Sequence, residues 1–363
     1  MFNNIYHGKR VLVTGHTGFK GSWLSLWLQH LGADVCGYAL ESSASPFSHW
    51  DLLKLDMRSE IDDIRNLEKL KKVIAEFQPE IVFHLAAQSL VRRSYADPLE
   101  TYTTNVIGTL NLFEACRRTD SVRAIVNITS DKCYENQEWH WGYRESDPMG
   151  GYDMYSSSKG CSELLTASYR NSYFNPSDFS TKHQTLLASC RAGNVIGGGD
   201  WAEDRLVPDL VRAVADGRSV HIRNPNSTRP WQHVLEPLSG NLLVGQKLSE
   251  GCVESATGWN FGPAKNRAVT VREVAEQFRR YWRDVELEFT TLNNLPHEAN
   301  LLQLDCSRAN ALLGWDAVWD YNVTFDKTIS WYRDFYEHKQ VNTAADLKTY
   351  LDAFNSSCTA EKR

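Results

Sequence analysis

The sequence predicts an α/β protein whose larger part is a doubly wound parallel sheet, joined to a smaller α/β domain. Two observations carry the sheet. Short apolar, β-rich runs at 10–14, 34–39, 80–84 and 124–128 alternate with helix-period segments. The first run also enters a glycine turn that opens directly into a helix. Length supports the second domain: 363 residues leave room for about two domains.

The elements follow in order. Arg10–Thr14 leads into Gly15-His16-Thr17-Gly18-Phe19-Lys20-Gly21, and a helix with Trp23, Leu24, Leu26, Trp27 and Leu31 apolar follows. Glycines let such a turn approach a pyrophosphate, and the helix N-terminus offers unpaired N–H groups. The spacing is GxxGxxG rather than GxGxxG. At the end of the second run, Tyr38-Ala39-Leu40, the acid that often binds an adenosine ribose is missing or displaced to Glu41. No Arg or Lys lies between Val35 and Asp51 to grip a 2′-phosphate, which favours NAD over NADP. Asp63 precedes a helix through Leu67, Leu70, Val73, Ile74 and Phe77, and serves either an adenine amino group or the helix start. The run ending at His84 opens into the small residues Leu85-Ala86-Ala87-Gln88-Ser89, which let a ligand lie close. Pro98 to Arg118 reads as one long helix with Asn105 near its middle.

The buried run Ala124–Ile128 delivers Thr129-Ser130-Asp131-Lys132 to the sheet's C-terminal edge, where ligands bind in open α/β sheets. Tyr155 and Lys159 stand at i and i+4 on a helix and share a face. A nearby ammonium favours a phenolate and suits a tyrosine to base chemistry. A further strand, Thr185–Cys190, ends at Arg191-Ala192-Gly193-Asn194. Gly197–Trp201 marks the passage into the smaller domain, and a helix runs from Asp204-Arg205 to Val214. Arg205, Arg223 and Arg229 add basic character, and Arg229 suits a bidentate phosphate contact. Trp259–Pro263 is expected to be a strand closing the smaller domain. Arg272–Arg283 is an amphipathic helix, and Asp305–Trp315 a capped one ending at glycine. His297 lies in a loop expected to cover a nucleotide.

Three motifs together are specific: Ser130-Asp131-Lys132-Cys133-Tyr134, Trp141-Gly142-Tyr143-Arg144-Glu145 and Met149-Gly150-Gly151-Tyr152-Asp153. With the glycine turn, Asn105, Pro230 and Tyr155xxxLys159, they resemble the CDP-glucose 4,6-dehydratases. These belong to the nucleotide-sugar 4,6-dehydratases of the extended short-chain dehydrogenase/reductase superfamily. The resemblance spans residues 8 to 335 and implies a Rossmann-type fold, NAD as cofactor and a nucleotide sugar as substrate. It implies residues 1–190 as the NAD-binding domain, with a returning segment near 226–262. Residues 191–335 would be mainly the sugar-nucleotide domain, and 336–363 a C-terminal tail. It implies NAD contacts from Gly15, Thr17, Gly18, Phe19, Lys20, Asp63, Ile64, Leu85, Ala86, Ala87, Asn105, Tyr155 and Lys159. Substrate contacts would come from Ser89, Asn194, Arg205, Arg229 and His297. The implied catalytic set is Ser130, Asp131, Lys132, Tyr155 and Lys159. In it Tyr155 is the base at C4 and Asp131 the acid at C6. Lys132 is either the base at C5 or a ligand that orients the sugar. A 4-epimerase on the same scaffold needs no Asp131-Lys132 pair. The nucleobase rests on the resemblance alone.

Composition closes other routes. A net charge of −6 gives no general polyanion footprint, so no nucleic-acid partner is expected. No apolar run approaches the about 18 residues of a membrane span, and the N-terminus carries no apolar signal segment. Eight scattered cysteines form no CxxC pair, so neither a metal site nor a redox motif is expected. Cys36 and Cys190 should be buried thiols, which fits a reducing cytoplasm. The resemblance adds a homo-oligomer, dimer or tetramer, assembled through helices at 98–118 and 153–173.

Overall fold

The computed structural model describes residues 1–42, 47–222, 225, 228–263, 269–282, 287–289 and 301–360. Six strands, β1 (Arg10–Thr14), β2 (Asp34–Ala39), β3 (Arg58–Ile61), β4 (Ile81–His84), β5 (Ala124–Ile128) and β6 (Leu186–Ala192), join Gly258–Phe261 in one sheet. All pairings are parallel, in the order Gly258–Phe261, β6, β5, β4, β1, β2, β3. The chain order reverses between β1 and β4, which places a ligand crevice at their C-terminal ends. Both faces are covered, so the central strands are mostly apolar, with Thr14, His84, Asn127, Ser189 and Arg191 as buried polar exceptions. On one face α1 (Phe19–His30) packs with the later helix Leu235–Ser249; on the other lie residues of α3 (Leu67–Phe77) and of Gly108–Cys116.

Two elements differ from the sequence expectation. Arg58–Ile61 is a strand that the pattern hides, because as the sheet's edge it is mostly exposed and polar. Trp259–Phe261 extends the main sheet beside β6, with Trp259 opposite Cys190, and does not close the smaller domain. The long helix is present but interrupted. Pro98–Tyr102 passes through a π-turn at Thr103–Ile107 into Gly108–Cys116. Such turns gather at functional sites, and Asn105 sits inside this one.

The smaller domain has its own core of Leu210, Val211, Val274, Phe278, Phe325 and Trp331. Two short strands, Thr228–Arg229 and Val269–Thr270, pair antiparallel in it. The C-terminal residues are not a loose extension. Helix Tyr321–His338 is followed by helix Thr343–Ala360, whose Leu347 and Tyr350 are buried in the main core. Tyr350 OH donates to Glu236 Oε2 at 2.8 Å, and Glu236 also accepts from the backbone N–H of Val318 and Trp319. Burial raises the Glu236 carboxyl to about 7 against those three donors. An acid whose pKa is raised on folding stabilises fully below its unfolded value and loses that contribution as pH rises through the folded value. Thermal melts between about pH 5 and pH 8 should therefore fall with rising pH, and Glu236→Gln should flatten the slope. An unchanged slope in the variant would place the titration elsewhere.

Candidate active site

β5 ends at Ile128, and Thr129 and Ser130 leave the sheet at its C-terminal edge. Ser130 caps a single 3-10 turn, Asp131–Cys133. Its Oγ accepts from Lys132 N at 3.2 Å and donates to Asp131 Oδ1 at 3.0 Å. The helix Met154–Ser172 starts opposite this turn. Asp153 caps it, accepting from Ser156 N at 2.9 Å and Ser156 Oγ at 2.6 Å. Tyr155, Lys159 and Glu163 follow at four-residue spacing on one face. Tyr155 hydrogen-bonds Ser130, and Lys159 Nζ donates to Ile128 O at 3.4 Å. Ser130, Asp131, Tyr155 and Lys159 are all buried. Asp131 Oδ2 reaches toward Gly193, where a β-carbon would stand only 3.1 Å from it.

Electrostatics tie more residues to this cluster. Burial pushes the Tyr155 phenol up to about 12; Ser130 and Arg205 oppose the shift, and Asp131 and Asp153 add to it. The lowering expected from Lys159 does not set the direction: desolvation dominates, and the ammonium is aimed at a backbone carbonyl. Burial brings Lys159 down to about 8, with Glu163 opposing. Lys20, half-buried along its side chain, is lowered to about 8 by burial, Arg205 and Lys159, against Asp131 and Asp200. Lys20, Lys159 and Arg205 therefore share one field with Asp131 and Asp200. Arg205 donates to Asp200 Oδ2 at 3.1 Å and to Ser89 Oγ at 3.2 Å. This links the loop after β4 to the entry of the smaller domain. Lys132 is half-buried on the same turn, and Asn194 is half-buried just past β6.

The neighbouring crevice fits a dinucleotide. Gly15 has φ +77°, and a β-carbon there would lie 2.7 Å from Ala86 N, so only glycine lets the β1 turn cross the Leu85-Ala86-Ala87 segment. Gly18 caps α1 with no side-chain hydrogen bond, which leaves the helix start to accept an anion. Phe19 and Lys20 open the helix, and Thr17 Oγ1 donates to Leu40 O at 2.9 Å, tying the turn to the end of β2. Asn105 is buried with its amide committed inside the protein. It donates to Gln88 O at 2.9 Å and Ser158 Oγ at 2.8 Å, and accepts from Gln88 N at 2.8 Å. Its influence on the crevice runs through the loop it holds. Asp63 and Ile64 lie beyond β3; Asp63 is bridged by Arg65 Nη2 at 2.5 Å, and Ile64 is buried against Gly108. Arg223 and His297 fall outside the described residues, as does the Arg229 side chain. Among the described residues no His/Cys/Asp/Glu group could hold a metal, and no helix is long and apolar enough to cross a membrane.

The family model for GDP-mannose 4,6 dehydratase matches residues 12–330. The chain belongs to the GDP-mannose 4,6 dehydratase family. It is 51% identical over 354 residues to the CDP-glucose 4,6-dehydratase of Salmonella typhimurium, covering 96% of this chain and 98% of that one. The fold of this dehydratase-family chain matches solved structures of lower identity. A dTDP-glucose 4,6-dehydratase of Streptomyces venezuelae, solved with NAD and TYD bound, is 23% identical with TM-score 0.74, covering 90% of this chain and 97% of that one. A UDP-glucose 4-epimerase of Thermotoga maritima, solved with UDP-glucose, is 21% identical with TM-score 0.75, covering 90% and 99%. Both solved structures share the fold of this chain.

The structure also brings to the site residues that the sequence did not single out for it: Glu163, Arg191, Gly193 and Asp200. One signal was available. Glu163 continues the Tyr155–Lys159 spacing by one more step of four.

Proposed function

We propose that the chain converts CDP-glucose to CDP-4-keto-6-deoxyglucose and water, with NAD used and regenerated within each turnover. The observation that carries this is the 51% identity, over nearly the whole length of both chains, to a CDP-glucose 4,6-dehydratase. It is supported by the convergence of Ser130, Asp131, Tyr155 and Lys159 beside a dinucleotide crevice. Gly15, Thr17, Gly18, Phe19 and Lys20 would hold the pyrophosphate side of NAD. Asp63, Ile64, Leu85, Ala86 and Ala87 would line the remainder, with Asn105 fixing the loop and Lys159 on the nicotinamide ribose. Bound NAD supplies storage for the hydride that leaves C4 and returns to C6. Tyr155 Oη takes the C4 hydroxyl proton, while Ser130 Oγ steadies the C4 oxygen. The resulting ketone acidifies C5–H. Lys132 takes that proton or orients the ring, Asp131 gives a proton to the departing C6 hydroxyl, and C5 is reprotonated as the hydride reaches C6. Ser89, Asn194, Arg205, Arg229 and His297 would bind the nucleotide sugar.

Incubation with CDP-glucose and NAD tests the reaction. A 4-keto-6-deoxy product without net NADH supports it, and interconversion with CDP-galactose would mark a 4-epimerase instead. Lys132→Ala should still permit C4 oxidation but slow entry of solvent deuterium at C5 by about 100-fold. Undiminished exchange would remove Lys132 from the base role. The product chemistry suits early deoxysugar synthesis for surface polysaccharide, in the cytoplasm. Exposed Leu99, Ile107 and Leu164 on the helices at 98–116 and 154–172 support assembly into a homo-oligomer.

A further inference from the structure

Behind the Ser130–Asp131–Lys132 turn lies an ion pair that no step above uses. Glu163 Oε2 meets Arg191 Nη2 at 2.8 Å, and their side chains are only 3% and 6% exposed. Two buried charges are costly unless their remaining hydrogen-bonding capacity is met. Here Arg191 Nε has no hydrogen-bond partner, and much of the remaining capacity is spent on the two ends of the turn. Glu163 accepts from Thr129 Oγ1, the residue just before Ser130, and from Ser189 Oγ at 2.8 Å. Arg191 Nη1 donates to Tyr134 OH at 2.6 Å, the residue just after Cys133, and to Glu145 O at 3.2 Å. The guanidinium carbon also stands 5.1 Å from the Tyr134 ring centroid. Tyr134 OH in turn donates to Asn260 Oδ1 at 2.8 Å, and Asn260 N donates to Glu145 Oε1 at 3.0 Å. Helix Met154–Ser172 contributes Glu163, β6 contributes Arg191, and the turn hangs between them.

We propose that Glu163 and Arg191 are positioning residues, clamping both ends of the turn that carries Ser130, Asp131 and Lys132 against the helix that carries Tyr155 and Lys159. The inference rests on the dehydratase reading. A pair kept for stability alone has a cheaper substitute, since well-packed apolar residues of similar volume often serve as well. This pair instead touches Thr129 just before the reacting set and Tyr134 just past the turn that carries it. Glu163 has a second task. It stands one helical turn from Lys159 and opposes the burial that would strip that ammonium of its proton.

The test uses the full chain with CDP-glucose and NAD. Thr129→Val and Tyr134→Phe each cut one tether and leave the ion pair whole. Each should lower kcat by about tenfold with KM changed less than about twofold, because misplacement of reacting groups acts on the chemical step. Neither loss should depend on pH. Glu163→Gln should lower kcat and also move the alkaline limb of its pH profile to lower pH by about one unit, since Lys159 loses its supporting carboxylate. Circular dichroism reports the folded fraction of each variant; if Glu163→Gln does not fold, the two tether variants decide. Folded variants with wild-type kcat and pH profile, or losses that merely follow the folded fraction, overturn the positioning role. Absence of turnover by the wild type on CDP-glucose is a separate failure. It overturns the reading beneath the role and the role with it.

Discussion

Tyr155→Phe is expected to lower turnover of CDP-glucose by about 1,000-fold while leaving NAD binding largely intact. The ring is buried at the start of its helix and fills the same volume in either residue, so packing is preserved. What is lost is one oxygen, the one hydrogen-bonded to Ser130. The phenol of the free chain sits near 12 because burial outweighs Ser130 and Arg205. A cation in the adjacent crevice would act in the same downward direction as Arg205. Single-turnover kinetics and calorimetric titration with NAD check the two halves of the expectation. Retained turnover within about tenfold of wild type would remove Tyr155 from the proton transfer at C4.

Asp131→Asn should have the next largest effect, a loss of about 100-fold or more confined to water elimination. Asn preserves the shape and can still accept from Ser130 Oγ, which reaches Asp131 Oδ1 at 3.0 Å. It cannot deliver a carboxylic proton to a leaving hydroxyl. C4 oxidation should therefore proceed and stop, and NADH absorbance should accumulate in proportion to enzyme instead of vanishing. Wild-type turnover with no such accumulation would show that Asp131 is not the acid. Paired with Lys132→Ala, the experiment separates the group that serves C6 from the group that serves C5.

The parts of this protein that were legible in its sequence share a physical cause. β1, β2, β4 and β5 are buried along most of their length, so each reads as a largely apolar run. The glycine turn is legible because Gly15 must cross Ala86, a demand no other residue meets. Arg58–Ile61 was hidden because an edge strand with one exposed side carries no such signature. The π-turn at Thr103–Ile107 was hidden because nothing in its composition departs from an ordinary helix. Within the site, Tyr155 and Lys159 announce themselves through local spacing. Arg191 does not, since its partner Glu163 is 28 positions away and only the sheet brings them together. The returning strand Gly258–Phe261 was legible as a strand, but its place beside β6 is a long-range pairing that local pattern does not encode. The direction of the Tyr155 shift was also out of reach. It depends on how completely the site is desolvated, a property of the assembled fold.

The small gap between the Asp131 carboxylate and residue 193 has an evolutionary corollary. A methyl group at 193 would press on the acid's oxygen, so the two positions constrain each other's divergence. A β-carbon at 193 would ask the carboxylate end of Asp131 and the Pro230 ring, each 3.1 Å away, to give by a few tenths of an ångström, so drift at 193 would be felt first as a shift in the acid's aim.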